Sequence, residues 1–205
     1  ELTFFVDQFP TQNVSLVFSS ENISSPASMF GHVFLLFHKE RIPELDSKVI
    51  HYSAILDDSS RGLGYIFKGL MGGFQGAFGT TSFFRQIIDY SRREQRFIQG
   101  SSLDLSPDQV RMLLFHLFEL RLAKFKYYFF NENCAYQIDS LLGILPGSNK
   151  IAENKLYTLP IEIFEKHRLN QTFQFGIEPL ITSSRKKIRS LRGDEKKLFD
   201  QIIHG

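Results

Sequence analysis

The sequence predicts an α+β fold in which an antiparallel sheet that carries a histidine packs against a helix that begins with a cysteine. Two features indicate this. The run Val33–Phe37 is apolar on both alternating faces, which is typical of a central strand covered on both sides, and His32 stands directly before it. Asn133 precedes a periodic apolar segment whose first residue is Cys134, the single cysteine. The 205 residues suffice for one domain with a substantial core.

Composition excludes a few classes of function. A net charge of +2 argues against a strongly electrostatic nucleic-acid binder, and no nucleic-acid partner is expected. The 22 Phe and 7 Tyr suit either core packing or a surface that handles acyl chains. One cysteine cannot form an internal disulfide, and no apolar run approaches the ~20 residues of a membrane-spanning helix. The chain opens at Glu1 without a leader, so we expect that a signal peptide has been removed.

The first half of the chain predicts a pair of strands that carry histidines. Val14–Phe18 is β-prone, and Ser19–Ser28 is rich in Ser, Asn and Pro, as loops are. Val49–Leu56 is a second β-prone run, and it contains His51. We expect the His32 and His51 strands to pair antiparallel, with both histidines near one end or one face.

Residues 62–79 interleave seven glycines with bulky apolar side chains. The spacing matches neither the Walker motif nor the dinucleotide fingerprint. Two interpretations stay open: a tight irregular wrap over the core, or a mobile apolar flap that covers an acyl chain or dips into a bilayer surface.

The second half predicts helices and an edge strand. Thr81–Gln99 reads as a helix followed by a strand, and its arginines suggest a solvated basic face or a site for lipid phosphates. Ser106 and Pro107 have the residue types of a helix start. The remaining expectations are a short helix from 158, an edge strand at 172–175 and a terminal helix at 198–203. We assign residues 1–180 to the catalytic domain and 181–205 to a charged linker or docking helix.

Cys134 is the candidate nucleophile. Asn133 is a good N-cap, so Cys134 is expected in the first turn of a helix, where the dipole and free N–H groups favour the thiolate. A lone cysteine is more often an inert buried residue, so the hypothesis needs a histidine as base. His32 lies at the mouth of a buried strand, and Gly31 leaves room for another group to approach it.

The order of these residues matches a permuted papain-like site. Papain-like enzymes need a thiolate at a helix N-terminus, an imidazole on an adjacent strand and a third group that orients it. In papain the cysteine helix precedes the histidine strand, whereas here it follows, as in a circularly permuted, NlpC-type arrangement. Lecithin:retinol acyltransferase and its relatives have this order, and the chain resembles them at Asn133–Cys134.

A closer resemblance spans roughly Phe5 to Leu145. The motifs that carry it are Ser25-Pro26-Ala27-Ser28-Met29-Phe30-Gly31-His32, Phe67-Lys68-Gly69-Leu70-Met71-Gly72-Gly73-Phe74, His116-Leu117-Phe118-Glu119-Leu120 and Glu132-Asn133-Cys134-Ala135-Tyr136. These motifs, in this order, resemble the Lnb family, bacterial proteins with an N-terminal periplasmic domain.

The resemblance implies a function. Lnb proteins are lipoprotein N-acyltransferases, which move a fatty acyl chain from a phospholipid to the α-amine of a lipoprotein's lipidated N-terminal cysteine. It implies a thioester on the enzyme, no cofactor and no metal. The implied partners are a phospholipid donor, a diacylglyceryl-modified lipoprotein and a membrane surface. The implied location is the periplasm, in association with a membrane of a Gram-negative cell envelope.

The matched motifs also imply roles for residues. Cys134 would be the nucleophile and His32 the general base. Where the family has Asn this chain has His51, which either orients His32 or replaces a structural amide, and Ser28 is another candidate for the third group. The substrate site is expected to include Tyr52, Lys68, Gly72, Gly73, Phe74, Asn133 and Tyr136.

Two other functions stay open. A papain-like hydrolase acting on peptide or cell-wall amides would use the same Cys134 and His32, but in a polar groove. A non-enzymatic lipid- or lipoprotein-binding module would keep Cys134 as a core residue. A metal site is disfavoured, because the histidines and the distant cysteine have no established ligand spacing.

Overall fold

The computed structural model describes residues 1–22, 29–55, 63–148, 156–168 and 173–204. These residues form an α+β fold around one antiparallel sheet. The strands are β1 (Asn13–Ser19), β2 (His32–His38), β3 (Lys48–Ile55), β4 (Phe74–Ser82), β5 (Ile98–Leu103), β6 (Phe125–Tyr127) and β7 (Gln174–Ile177). The helices are α1 (Leu2–Val6), α2 (Leu63–Leu70), α3 (Phe83–Gln86), α4 (Pro107–Leu120), α5 (Cys134–Leu142), α6 (Pro160–Arg168), α7 (Leu180–Ser190) and α8 (Gly193–His204). A π-helical segment, Ile87–Arg93, continues α3.

β2 occupies the centre of the sheet. The strand order is β6–β4–β3–β2–β1–β5–β7, and every residue of β2 is buried, which confirms the predicted central strand. Val33 and Leu35 pack with α4, α5 and α6 on what we call the helix face. Phe34 and Leu36 pack with α3 and the π-helical segment on what we call the π-helix face. A strand covered on both sides needs apolar residues at every position, as this sequence has.

The predicted pairing of the two histidine strands is confirmed. β2 and β3 run antiparallel, and His51 stands directly opposite Phe34. Directly opposed residues share a face of the sheet, and so do residues two apart on one strand. His32 and His51 therefore both belong to the π-helix face.

Both predicted helix starts are confirmed. Ser106 and Gln109 form a capping box at α4, in which each side chain accepts the other residue's backbone N–H. Asn133 caps α5 with its side-chain oxygen. α5 ends at Leu142, three residues before the apolar pattern does, and the Gly143 N–H bonds the Asp139 carbonyl in its last turn.

Neither interpretation of the glycine-rich stretch fits its second half. Residues 63–70 form α2, whereas residues 74–79 belong to β4 and pair with β3 and β6. The glycines there make room for close neighbours, since a side chain at Gly76 would meet the Tyr52 ring. This half is regular sheet.

The aromatic run before Cys134 is only partly a strand. β6 ends at Tyr127, and the chain then forms a loop that bonds elsewhere: the Phe129 N–H donates to the Gly69 carbonyl at the end of α2. The Tyr128 ring fills the space beside Gly72, which has a positive φ of 68°. This loop holds α2 against the start of α5.

The last elements agree with their predicted types. α6 and the edge strand β7 lie where expected, and the terminal helix is present as α8. The charged segment predicted as a linker is helical as α7, whose side chains are not buried. The boundary at residue 180 stays a prediction. Within the described ranges, no helix has the length and apolar character needed to cross a membrane.

Candidate active site

Cys134 begins α5, as the sequence predicts. The Asn133 side-chain oxygen accepts the N–H groups of Ala135, at 2.9 Å, and Tyr136, at 3.3 Å. Its side-chain nitrogen donates to the carbonyls of Phe129 and Thr158. One buried amide thus joins α5, the aromatic loop and the segment before α6, and it fixes the first turn that carries the thiol.

The thiol is held in its neutral form. Cys134 is only 2% exposed, and burial raises its pKa from 9.0 to about 11. Hydrogen bonds from the backbone N–H groups of Val33 and Ala135 lower the pKa in part, as does the charge of Arg96. The N–H groups at the helix start thus favour the thiolate, as expected, but the loss of hydration on burial is the larger effect, so the pKa is raised overall.

His32 is a neutral imidazole with an unpartnered Nε2. It is 9% exposed, and its Nε2 has no hydrogen-bond partner. Burial lowers its pKa from 6.5 to about 3, with further lowering by His51 and Arg96. Its ring centroid lies 5.9 Å from that of Tyr90 and 6.3 Å from that of Phe34.

Cys134 lies beside the start of β2, the strand that His32 opens. The N–H that reaches the thiol belongs to Val33, the residue directly after His32. The imidazole, however, packs on the π-helix face against Tyr90, whereas Cys134 packs with the helix-face core. In the resting structure, the Cys134 thiol therefore lies against the backbone of β2. The His32 ring instead packs toward the π-helical segment.

His51 lies on the same face and lines a polar pocket. Its Nδ1 has no partner, and burial lowers its pKa. The pocket has a volume of about 550 Å³. It is lined by His51, Ser53, Thr80, Thr81, Arg85, Gln86, Asp89, Tyr90, Arg93 and Glu94. Tyr90 thus contacts both His32 and this pocket.

The predicted substrate residues divide into two groups. Tyr52 and Phe74 are buried in an aromatic cluster with Tyr127 and Phe129, and the Tyr52 hydroxyl has no partner. Burial raises the pKa of Tyr52, with further raising by nearby Glu132 and Cys134. Lys68, Gly72, Gly73 and Tyr136 lie around the aromatic loop and the first turn of α5, Lys68 with its Nζ 4.7 Å from the Phe74 ring centroid. Ser28 lies outside the described residues.

Sequence reasoning missed Tyr127. Its hydroxyl accepts a hydrogen bond from the Cys134 backbone N–H, the group expected to hold an oxyanion. Burial and the neighbouring Cys134 raise the Tyr127 pKa, and that hydrogen bond offsets part of the rise. Nothing in the aromatic run distinguishes this tyrosine from its neighbours.

Sequence reasoning also misplaced Arg96. The arginines of Thr81–Gln99 suggest a solvated basic face. Arg85, Arg92 and Arg93 are indeed exposed, but Arg96 is only 1% exposed. The two-residue alternation of an extended chain could have indicated this burial. Arg96 stands two residues before buried Ile98, so both side chains belong to one face. In the described part of the chain, no group of three or more His, Cys, Asp or Glu side chains is arranged to hold a metal ion.

One comparison with known proteins gives a match. The model of the Lnb N-terminal periplasmic domain matches residues 3–167, which include the whole sheet except β7 and both Cys134 and His32. No curated protein and no solved structure matches the chain. Because the family model covers most of the 205 residues, the chain belongs to the Lnb family through its N-terminal periplasmic domain.

Proposed function

We propose that this domain carries the catalytic centre of a lipoprotein N-acyltransferase. It moves a fatty acyl chain from a phospholipid, through a thioester on Cys134, to the α-amine of a lipoprotein's lipidated N-terminal cysteine. Family membership supports the class of reaction. The observation that supports the proposal is that a thiol at a helix N-terminus accepts the backbone N–H of Val33, directly after a histidine whose Nε2 has no partner.

In the first step, Cys134 sulfur attacks the carbonyl carbon of the acyl ester as His32 Nε2 takes the thiol proton. The ester C–O bond then breaks, the thioester remains, and the lysophospholipid oxygen leaves with the proton from His32. The imidazole must turn from Tyr90 toward the thiol for this transfer. At neutral pH both groups rest uncharged, because burial lowers the pKa of His32 and raises that of Cys134.

The oxyanion of this step needs hydrogen-bond donors. The Cys134 backbone N–H is our candidate donor, and in the resting state it bonds the Tyr127 hydroxyl. A carbonyl oxygen that enters here accepts from that N–H, and the Tyr127 hydroxyl can donate its own proton as a second hydrogen bond.

In the second step, the lipoprotein amine attacks the thioester carbonyl. His32 takes a proton from the amine, the C–S bond breaks, and the thiolate regains the proton as the amide product leaves. Water competes with the amine for the thioester, so the buried setting of Cys134 protects the intermediate.

The outer face of α2 is suited to contact a phospholipid surface. Ile66, Phe67, Leu70 and Met71 are exposed, although large apolar side chains are costly to leave in water. α2 also borders the loop that leads to Cys134, through the contact of Gly69 with Phe129. We expect this face to bring the donor's acyl chains to the thiol.

Vesicle sedimentation tests this contact. The double variant Phe67→Ser/Met71→Ser should lower binding to phosphatidylglycerol vesicles by about 100-fold or more, given ~1.5–3 kcal/mol for burying each side chain. Phe84→Ser is the matched control, because Phe84 is 51% exposed but lies on α3, away from this loop. Equal binding by both variants would exclude α2 as the membrane contact.

Intact-mass spectrometry after incubation with phospholipid vesicles tests the chemistry. Wild-type protein should gain a fatty acyl mass that hydroxylamine removes, whereas Cys134→Ser and His32→Ala should gain none. A protein that alkylates readily at Cys134 yet never acquires an acyl group would contradict the proposal.

A papain-like hydrolase is the second candidate. The observation that favours it is the polar pocket between His51 and Arg93, since such an enzyme needs a polar groove. It would cleave peptide or cell-wall amides with the same Cys134 and His32. Amide cleavage without acyl transfer, lost in Cys134→Ser, would select it.

A further inference from the structure

Arg96 is a buried cation next to the candidate active site. It is among the largest fully buried side chains of the described residues. A buried charge is costly unless partners compensate it. Its Nη2 donates to the Ser19 carbonyl at 3.2 Å, its Nε donates to the Ser20 carbonyl, and its Nη1 pairs with Glu94 at 2.9 Å.

These partners connect Arg96 to His32 along two routes. Ser19, whose carbonyl accepts from Arg96, stands opposite His32 in the β1–β2 register. The Arg96 guanidinium carbon also lies 4.5 Å from the Tyr90 ring centroid, and that ring contacts His32 at 5.9 Å and Phe34 at 6.2 Å. Arg96, Tyr90 and His32 lie in one row, which we call the stack although the Tyr90 and His32 rings are tilted by 53°. Its Arg96 end is tied to the backbone beside His32.

We propose that Arg96 is a positioning residue, which sets the orientation of the His32 imidazole through the Tyr90 ring and the Ser19 carbonyl. The catalytic consequence rests on the function proposed above, whereas the geometric claim does not. A guanidinium suits this role because its planar fork reaches several acceptors and its face stacks on an aromatic ring, which a lysine ammonium does not reproduce.

The position of Tyr90 supports the inference. It lies in the π-helical segment, and π-helical turns occur frequently at functional sites. The charge of Arg96 also acts on both groups of the pair, because it lowers the pKa of Cys134 and that of His32.

The experiment uses the full chain with Arg96→Lys, Arg96→Met, Tyr90→Leu and Tyr90→Phe. Arg92→Met is the matched control, because Arg92 is exposed on the same π-helical segment. Three quantities are measured: the thermal midpoint, the rate of Cys134 acylation by phospholipid vesicles, and the pH midpoint of Cys134 alkylation by iodoacetamide.

We expect Arg96→Lys and Tyr90→Leu to change the acylation rate by at least about tenfold, because they alter the position from which the imidazole turns toward the thiol. Tyr90→Phe should stay close to the wild-type rate, because the ring stays in the stack. Arg96→Met should move the alkylation midpoint to higher pH, because it removes a cation that favours the thiolate. Arg92→Met should change neither the rate nor the midpoint.

Folded Arg96→Lys and Tyr90→Leu proteins that acylate at the wild-type rate would overturn the inference. If wild type itself forms no acyl adduct, the proposed function fails. The inference about Arg96 is then tested by the position of the His32 ring alone. The readout is the His32 ring-proton NMR shift, which moves in Tyr90→Leu and in Arg96→Lys if the stack sets its orientation. Unchanged shifts in both folded variants would overturn the inference independently of activity.

Discussion

The two histidines at the ends of β2 differ in how their ring nitrogens are used. His32 and His38 are both buried and belong to the same face of the sheet, six residues apart. His38 has a partner at each nitrogen: Ser15 Oγ lies 2.9 Å from Nε2, and the Glu40 carbonyl lies 2.6 Å from Nδ1. His32 has an unpartnered Nε2.

This difference separates a structural histidine from a candidate catalytic one. Native proteins rarely leave a buried polar atom without a hydrogen bond, so an exception needs a reason. The partners of His38 fix its ring in one tautomer, in which Nδ1–H donates to Glu40 and Nε2 accepts from Ser15. The Nε2 of His32 has no such partner, and the proposed proton transfer would use it.

The comparison predicts that His38 matters more for stability. His38→Ala should lower the free energy of unfolding by roughly 3 kcal/mol, because it leaves a cavity and an unpaired Ser15 hydroxyl. His32→Ala should cost less, since no hydrogen bond to Nε2 is lost. Urea unfolding followed by circular dichroism measures both. A larger loss in His32→Ala would break the comparison.

Gly31, which stands directly before His32, tests how tightly this end of β2 is packed. It has a φ of +88°, and a Cβ there would lie 2.5 Å from the Phe18 ring and 2.8 Å from the Ser19 carbonyl oxygen. Gly31→Ala should therefore cost about 2 kcal/mol in unfolding free energy. Gly147→Ala is the matched control, because Gly147 has a φ of +81° with open space around it, and it should cost about 1 kcal/mol. Equal losses would mean that the start of β2 tolerates displacement.

The buried neutral His32 predicts a dependence of stability on pH. Its pKa is about 3 in the folded state and 6.5 ordinarily, so between these values the unfolded chain binds the extra proton. Stability should therefore fall as pH falls from 6.5 toward 3, by up to ~1.4 kcal/mol per pH unit from this group. His32→Gln lacks this contribution, so its difference from wild type should change between pH 7 and pH 4 in urea unfolding. A constant difference would mean that His32 titrates normally.

Much of the fold could be predicted from residue patterns. The run that is apolar on both faces predicts that β2 lies at the centre of the sheet. Ser106 and Asn133 predict helix starts, because both are good N-cap residues. The strand period also places His32 and His51 on one face. These are local signals, which a single sequence carries directly.

Other features depend on tertiary contacts that the sequence does not display. The helix start at Cys134 is visible, but the neutral thiol is not, because its burial comes from the packing of α5 on the sheet. The insertion that makes residues 87–93 a π-helix leaves no pattern, so the position of Tyr90 beside His32 could not be foreseen. The glycine-rich stretch misleads because its glycines accommodate the rings of Tyr52 and Tyr128, not a mobile segment.

The central claim is that His32, not His38, is the base that works with Cys134. The most direct test is the rate of acyl-adduct formation on Cys134 from phospholipid vesicles, measured by intact mass in His32→Gln and His38→Asn. His38→Asn keeps a donor for the Glu40 carbonyl and should acylate within about threefold of wild type, whereas His32→Gln should be slower by ~100-fold or more, as expected for loss of a general base. Equal rates in the two variants would contradict the account.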